Sequence, residues 1–168
     1  MIRWNTRFRS WRGQGFSHLL EVFSVSSQLC MEFYIVCDGI AFPCKGWTDC
    51  ALSVISMWIE DVVRHGGNKK DTYILYFMDG PYWLEVQQEG EELILRGIED
   101  RKEKEVQFTV SCTMQELRRK LKRTLYKLES IIQTNEGCAG WRERFQPVID
   151  HYKEILRCQG DGSPDIPV

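Results

Sequence analysis

Three histidines, seven cysteines and twenty-four carboxylates are the groups in this chain with chemistry to offer. His18, His65 and His151 stand far apart, and none falls in a nucleophile-elbow, HExxH or deaminase-type pattern. Gly137-Cys138-Ala139-Gly140-Trp141 has the small residues of a reactive-cysteine neighbourhood. It lies between two predicted helices, however, without the context that would activate a thiol, and reads as a loop. Carboxylate pairs such as Glu60-Asp61 and Glu91-Glu92 are adjacent in sequence, so in regular structure they point different ways and read as solvated surface. The chain has no phosphate-binding glycine loop. These residues predict a protein that is not an enzyme and uses no cofactor. The enzymatic alternative is a site assembled from distant groups, such as His65, His151 and carboxylates of the central strands.

The cysteines (Cys30, Cys37, Cys44, Cys50, Cys112, Cys138, Cys158) are odd in number and contain no CxxC. Cys37, Cys44 and Cys50 lie six and five residues apart with no histidine at zinc-finger distance, which argues against a metal. A chain of 168 residues does not need disulfide staples. The expectation is buried, reduced thiols and a cytoplasmic location. With 43% hydrophobic and 27% charged residues the composition is that of an ordinary globular protein. No run approaches the roughly 18 apolar residues of a membrane span, so no membrane is expected as a partner.

The elements that must position any site come next. Asp71 to Cys112 holds three or four β-rich runs, Tyr73–Met78, Tyr82–Gln87, Leu93–Ile98 and Val106–Val110. Asp79-Gly80-Pro81, Glu89-Gly90-Glu91 and the charged stretch Glu99–Glu105 separate them. Links this short join antiparallel neighbours, so the stretch predicts a meander. Upstream, Glu32–Cys37 reads as a strand, Asp38-Gly39 as a hairpin turn and Ile40–Phe42 as its return, ended by Pro43. Thr48 or Asp49 then caps a helix whose apolar stripe is Leu52, Ile55, Ile59 and Val62, widened by Val54, Trp58 and Val63 and stopped by Gly66-Gly67. Downstream, Thr113-Met114-Gln115-Glu116 is a capping box, and Met114, Leu117, Leu121, Leu125, Leu128 and Ile132 predict a helix to about Thr134. A last helix carries Phe145, Val148, Ile149, Tyr152 and Leu156. Pro147 either marks its first turn or kinks a helix that starts earlier.

The expected fold class is therefore α+β, an antiparallel meander sheet with three helices packed mainly on one side. Residues 31–158 form a single domain, and 159–168 a flexible Gly/Pro-rich tail. Residues 1–30, with Arg3, Arg7, Arg9 and Arg12 among aromatics, are an N-terminal extension with three readings: an over-extended start, a real segment or a targeting signal.

Charge is unevenly distributed. From Asp79 to Ser111 nine acidic residues face four basic ones, net −5, against −2 for the whole chain. In Tyr82–Gln87 alternation puts Trp83, Glu85 and Gln87 on a polar face. An acidic surface with an aromatic anchor suits protein binding, and Trp83, Glu85, Glu89, Glu91, Glu92 and Glu99 are the candidate contact residues. A solvated sheet face with Trp83 under a loop is the structural alternative. The helix 114–134 is net +4, six basic residues against Glu116 and Glu129. It could contact phosphates, but it reads more readily as the polar side of an amphipathic helix, since its aromatics do not interleave with the charges.

Phe42-Pro-Cys-Lys-Gly-Trp-Thr-Asp-Cys-Ala-Leu-Ser-Val-Ile-Ser-Met-Trp-Ile59, then Tyr76-Phe-Met-Asp-Gly-Pro-Tyr-Trp-Leu-Glu-Val86 and a long amphipathic helix, resemble small bacterial immunity proteins of polymorphic or contact-dependent toxin systems. The resemblance spans about residues 31–156. It implies a cytosolic protein that binds and neutralises a cognate toxin. Trp47, Asp49, Trp58, Asp79, Gly80, Pro81 and Tyr82 would be its markers, most of them shaping the fold.

Overall fold

The computed structural model describes residues 30–37, 39–65 and 72–158. The extension (apart from Cys30), the Gly66-Gly67 stop, Asp38 and the tail 159–168 lie outside the described residues. The architecture is α+β with an antiparallel four-stranded meander, as the sequence predicts. Strands β1 (Met31–Glu32), β2 (Ile35–Cys37), β3 (Ile40–Phe42) and β4 (Thr48–Asp49) form two small antiparallel pairs, β1 with β4 and β2 with β3. Helix α1 (Ala51–His65) follows, then the meander β5 (Thr72–Tyr76), β6 (Tyr82–Glu89), β7 (Glu92–Asp100) and β8 (Lys104–Thr113), then α2 (Met114–Thr134) and α3 (Arg142–Cys158). Spatial order in the sheet equals sequence order, β5-β6-β7-β8.

Alternation decides which face of the sheet is packed. Tyr73 and Leu75 of β5, Tyr82, Leu84 and Val86 of β6, Leu93 and Leu95 of β7 and Phe108, Val110 and Cys112 of β8 are buried in the main core. From the helices come Ile55, Trp58 and Ile59 of α1, Leu121, Leu125 and Leu128 of α2, and Ile149, Tyr152 and Leu156 of α3. Trp58 is fully buried, edge-on to Phe33 and Phe77, and its indole N–H donates to the Tyr76 carbonyl at 2.6 Å. That bond is what a buried indole needs, since an unmatched N–H costs more than a typical hydrogen bond returns. The capping box at Thr113 and Glu116 forms in both directions, 3.1 Å and 2.9 Å.

Three local expectations are corrected. Glu32–Cys37 is two strands, because Phe33 and Tyr34 leave the ladder and both bury their rings. Neither Thr48 nor Asp49 caps α1: both are in β4, and α1 begins only at Ala51. The Asp49 carboxylate, 3% exposed, instead accepts from the backbone N–H of Cys50 (2.7 Å), Met78 (3.0 Å) and Asp79 (3.3 Å), fastening the β5–β6 turn to the start of α1. Burial holds this carboxyl above its ordinary value despite those bonds. The Trp47 indole also favours the carboxylate, although its N–H stops short of a hydrogen bond of ordinary geometry. In the last helix the earlier of the two expected starts holds, at Arg142 directly after a 3-10 segment at Glu136–Trp141, with Pro147 inside the helix, but one stripe residue is misplaced. Val148, at 37% exposure, falls outside the buried stripe.

Candidate partner-binding face

The sheet face turned away from the core is ruled by register. Reading across the four strands, Tyr76 pairs with Trp83, Trp83 with Ile98 and Ile98 with Val106. The result is an unbroken apolar row one residue deep, and opposed apolar pairs of this kind stabilise a sheet. Tyr76 (52% exposed) and Val106 (45%) stand at its ends, while Ile98 (1%) is buried between them and belongs to no part of the main core. Trp83 is half-buried, not fully exposed as its place on a polar face suggests. The Tyr76 ring lies 6.0 Å from it, and the Lys104 ammonium sits 5.9 Å from its centroid. Its indole N–H is buried without a partner.

The next row is Ile74, Glu85, Arg96 and Thr109. Arg96 donates to Glu85 at 3.2 Å and to Gln87 at 2.9 Å, and Lys104 reaches Glu85 from the side at 3.1 Å. Burial alone would raise the Glu85 carboxyl, but Lys104 and Arg96 outweigh it and hold it below the ordinary carboxylate value. Glu85 is therefore a neutralised centre of a polar network and adds no net negative field.

The six candidate residues consequently divide. Trp83 and Glu85 lie on this outward face. Glu99 points with Tyr82 toward the other side, where it pairs with Arg101 at 2.7 Å and accepts from Tyr82 (3.3 Å) and Gln107 (3.2 Å). Glu89, Glu91 and Glu92 cluster at the β6–β7 hairpin, where Glu89 faces Glu92 and Gly90 takes φ +64°. From Glu92 to Asp100 the strand rises by roughly 27 Å, so the acidic residues occupy opposite ends of the sheet. The single acidic patch read from the sequence is two, with a salt-bridged network between them. What the sequence reading missed is the apolar row. Its signal lay in the hydrophobic residues Tyr76, Ile98 and Val106 set out of phase with the buried ones, legible only once the register is known.

The turn leading into the row is tightly made. Gly80 has φ +70°, and a Cβ there would meet the Tyr82 ring at 2.8 Å and Trp47 at 3.0 Å. Trp47 and Phe42 both pack edge-on against Tyr82, at 5.0 and 5.8 Å.

No family model, curated protein or solved structure matches this chain.

The remaining chemistry-bearing groups stay apart. His65 stacks on Tyr73 at the end of α1, and His151 lies edge-on to Tyr152 on α3. Cys138 is buried within the 3-10 segment, where burial pushes its thiol up. Among the described residues no three His, Cys, Asp or Glu side chains are grouped as metal ligands, and no helix is long and apolar enough to cross a membrane.

Proposed function

We propose that this chain is a non-enzymatic partner-binding protein, and that the partner docks on the outward sheet face along Tyr76, Trp83 and Val106, with buried Ile98 as the floor beneath them. The observation that carries the reading is that row: a rigid, register-locked aromatic and aliphatic strip with exposed ends. Beside it stand the Glu85–Arg96–Lys104 network and the acidic turn at Asp79. Aromatic anchors supply much of an interface's energy, and a charged surround steers encounter and fixes orientation. The resemblance of residues 42–59 and 76–86 to immunity proteins supports a toxin domain as the partner and neutralisation in the cytoplasm as the outcome.

The test is capture of a toxin-like domain by the full chain in extracts of its own cell, followed by co-expression of the two. Protection against the domain's lethality, lost in a Tyr76→Ala, Trp83→Ala, Val106→Asp triple variant that still folds, is the expected result. Protection that survives this variant but not charge reversal at Glu89, Glu91 and Glu92 would move the interface to the hairpin. Failure to recover any lethal domain would overturn the toxin reading.

A second reading is association with nucleic acid through α2. Arg119, Lys122, Arg123 and Lys127 are exposed along its outward side, beside exposed Tyr126. Arg119 and Arg123 crowd Lys120, which burial chiefly and these charges secondarily hold below its ordinary value. A salt-dependent mobility shift with duplex RNA or DNA, abolished by Arg119→Glu with Arg123→Glu, would favour it.

A further inference from the structure

The N-terminal strand pair ends on two cysteines. Met31 of β1 pairs with Asp49 of β4, so Cys30 and Cys50 flank the end of that ladder, one residue beyond its last pair. Their sulfurs are 3.8 Å apart, and both residues are partly exposed. Directly opposed residues of an antiparallel pair have Cα atoms about 4.5–5.5 Å apart, inside the range of about 4.4–6.8 Å that a disulfide spans. Oxidation requires the sulfurs to close from 3.8 Å to the bond length of about 2.05 Å.

We infer that Cys30 and Cys50 form a thiol–disulfide exchange site that small disulfides of the glutathione type oxidise to a reversible internal disulfide. One thiolate of the pair attacks a sulfur of the small disulfide, breaking its S–S bond and releasing one thiol. The second cysteine then attacks the resulting mixed disulfide and releases the other. The protein's two thiols lose two protons and two electrons, which the small disulfide takes up as it becomes two thiols. Burial, the Cys30 sulfur and the carboxylates of Asp49 and Asp79 push the Cys50 thiol up to about 11, so the exchange is slow at neutral pH and quickens with alkali. The bond would close a ring holding the β2–β3 hairpin and the residues Phe42 and Trp47 that brace Tyr82. Oxidation would thereby fasten β1 to the start of α1. In the reduced chain the backbone ladder β1–β4 and the Phe33 N–H to Trp47 carbonyl bond (2.7 Å) hold that strand.

The test uses the full chain with Cys44→Ser and Cys158→Ser, which removes the two exposed thiols. It is incubated with oxidised glutathione, alkylated with N-ethylmaleimide under denaturing conditions, and mapped by mass spectrometry. The wild-type chain is mapped in parallel, so that misfolding of the serine variant leaves the result readable. The expected result is loss of two alkylation sites, a peptide cross-linked Cys30 to Cys50, and recovery of both sites with dithiothreitol. Adding Cys50→Ser should leave Cys30 as a stable glutathione adduct. Cys30 and Cys50 both remaining alkylatable, both carrying glutathione, or Cys37 joined to Cys112 in their place would overturn the inference.

Discussion

Leu84 and Glu85 are neighbours on β6, yet they belong to different molecules in a physical sense. Leu84 is fully buried among helices and strands, where its contribution is set by volume and packing. Glu85 is held on the far face by Arg96 and Lys104, where its contribution is set by geometry and solvent. The inward face is an organic solid, and the outward face alternates an apolar row, an ionic row and a third row in which Ile94 is buried between Gln87 and Ser111. The difference teaches where to look for function. Inward positions are accounted for by stability alone, whereas an apolar strip with exposed ends on the outward face is not.

The sharpest way to break this contrast is at Leu84 itself. Leu84→Ala should cost about 3 kcal/mol of unfolding free energy by denaturant titration, the usual loss for a buried leucine that leaves a cavity. A cost under about 1 kcal/mol would mean that the inward face relaxes freely. Next is Gly97, which also faces inward. There a Cβ would fall 2.2 Å from Phe108 Cε1, against backbone that already shifts register between Gly97 and Ile98. Gly97→Ala should cost about 2 kcal/mol through overpacking, and Phe108→Leu in the same chain should return part of it. Asp49→Ala, which strips the turn amides of Met78 and Asp79 of their acceptor, should cost about 2 kcal/mol and speed their amide exchange.

On the outward face the expected pattern inverts. Trp83→Ala should change folding stability by no more than about 1 kcal/mol while weakening partner affinity at least about tenfold by titration calorimetry. Smallest is Glu85→Gln, expected to cost about 0.5–1 kcal/mol near neutral pH. Because the folded-state value of Glu85 is lowered, its stabilisation is present above the ordinary carboxylate range and lost as pH falls through the lowered value. The gap between wild type and variant should close over that acid window. A gap that persists below it would place the effect in packing.

Much of this was legible in the residues. Alternation in Tyr82–Gln87, the turn glycines Gly80 and Gly90, and the Thr113–Glu116 box each have one local solution, so meander and α2 followed directly. Asp49 misled because a carboxylate just before a helix ordinarily caps it. Its real partners, Met78 and Asp79, lie 29 and 30 residues away in sequence. The acidic face misled for the same reason: counting charges along Asp79–Ser111 ignores that Arg96 lies opposite Glu85 and that the two hairpin ends point apart. Composition sums charges, and register places them.

The order of strands in the meander also has a consequence for how the chain reaches its fold. Each strand pairs only with its sequence neighbour through a short turn, so the sheet assembles by hairpin closure with little loop entropy to overcome. The bond from the Tyr152 hydroxyl to Glu60 is of the opposite kind, joining α3 to α1 across 92 residues. A nascent chain can complete its sheet and pack α2 on α1 while α3 is still unmade, and α3 is the last of the described helices to join them.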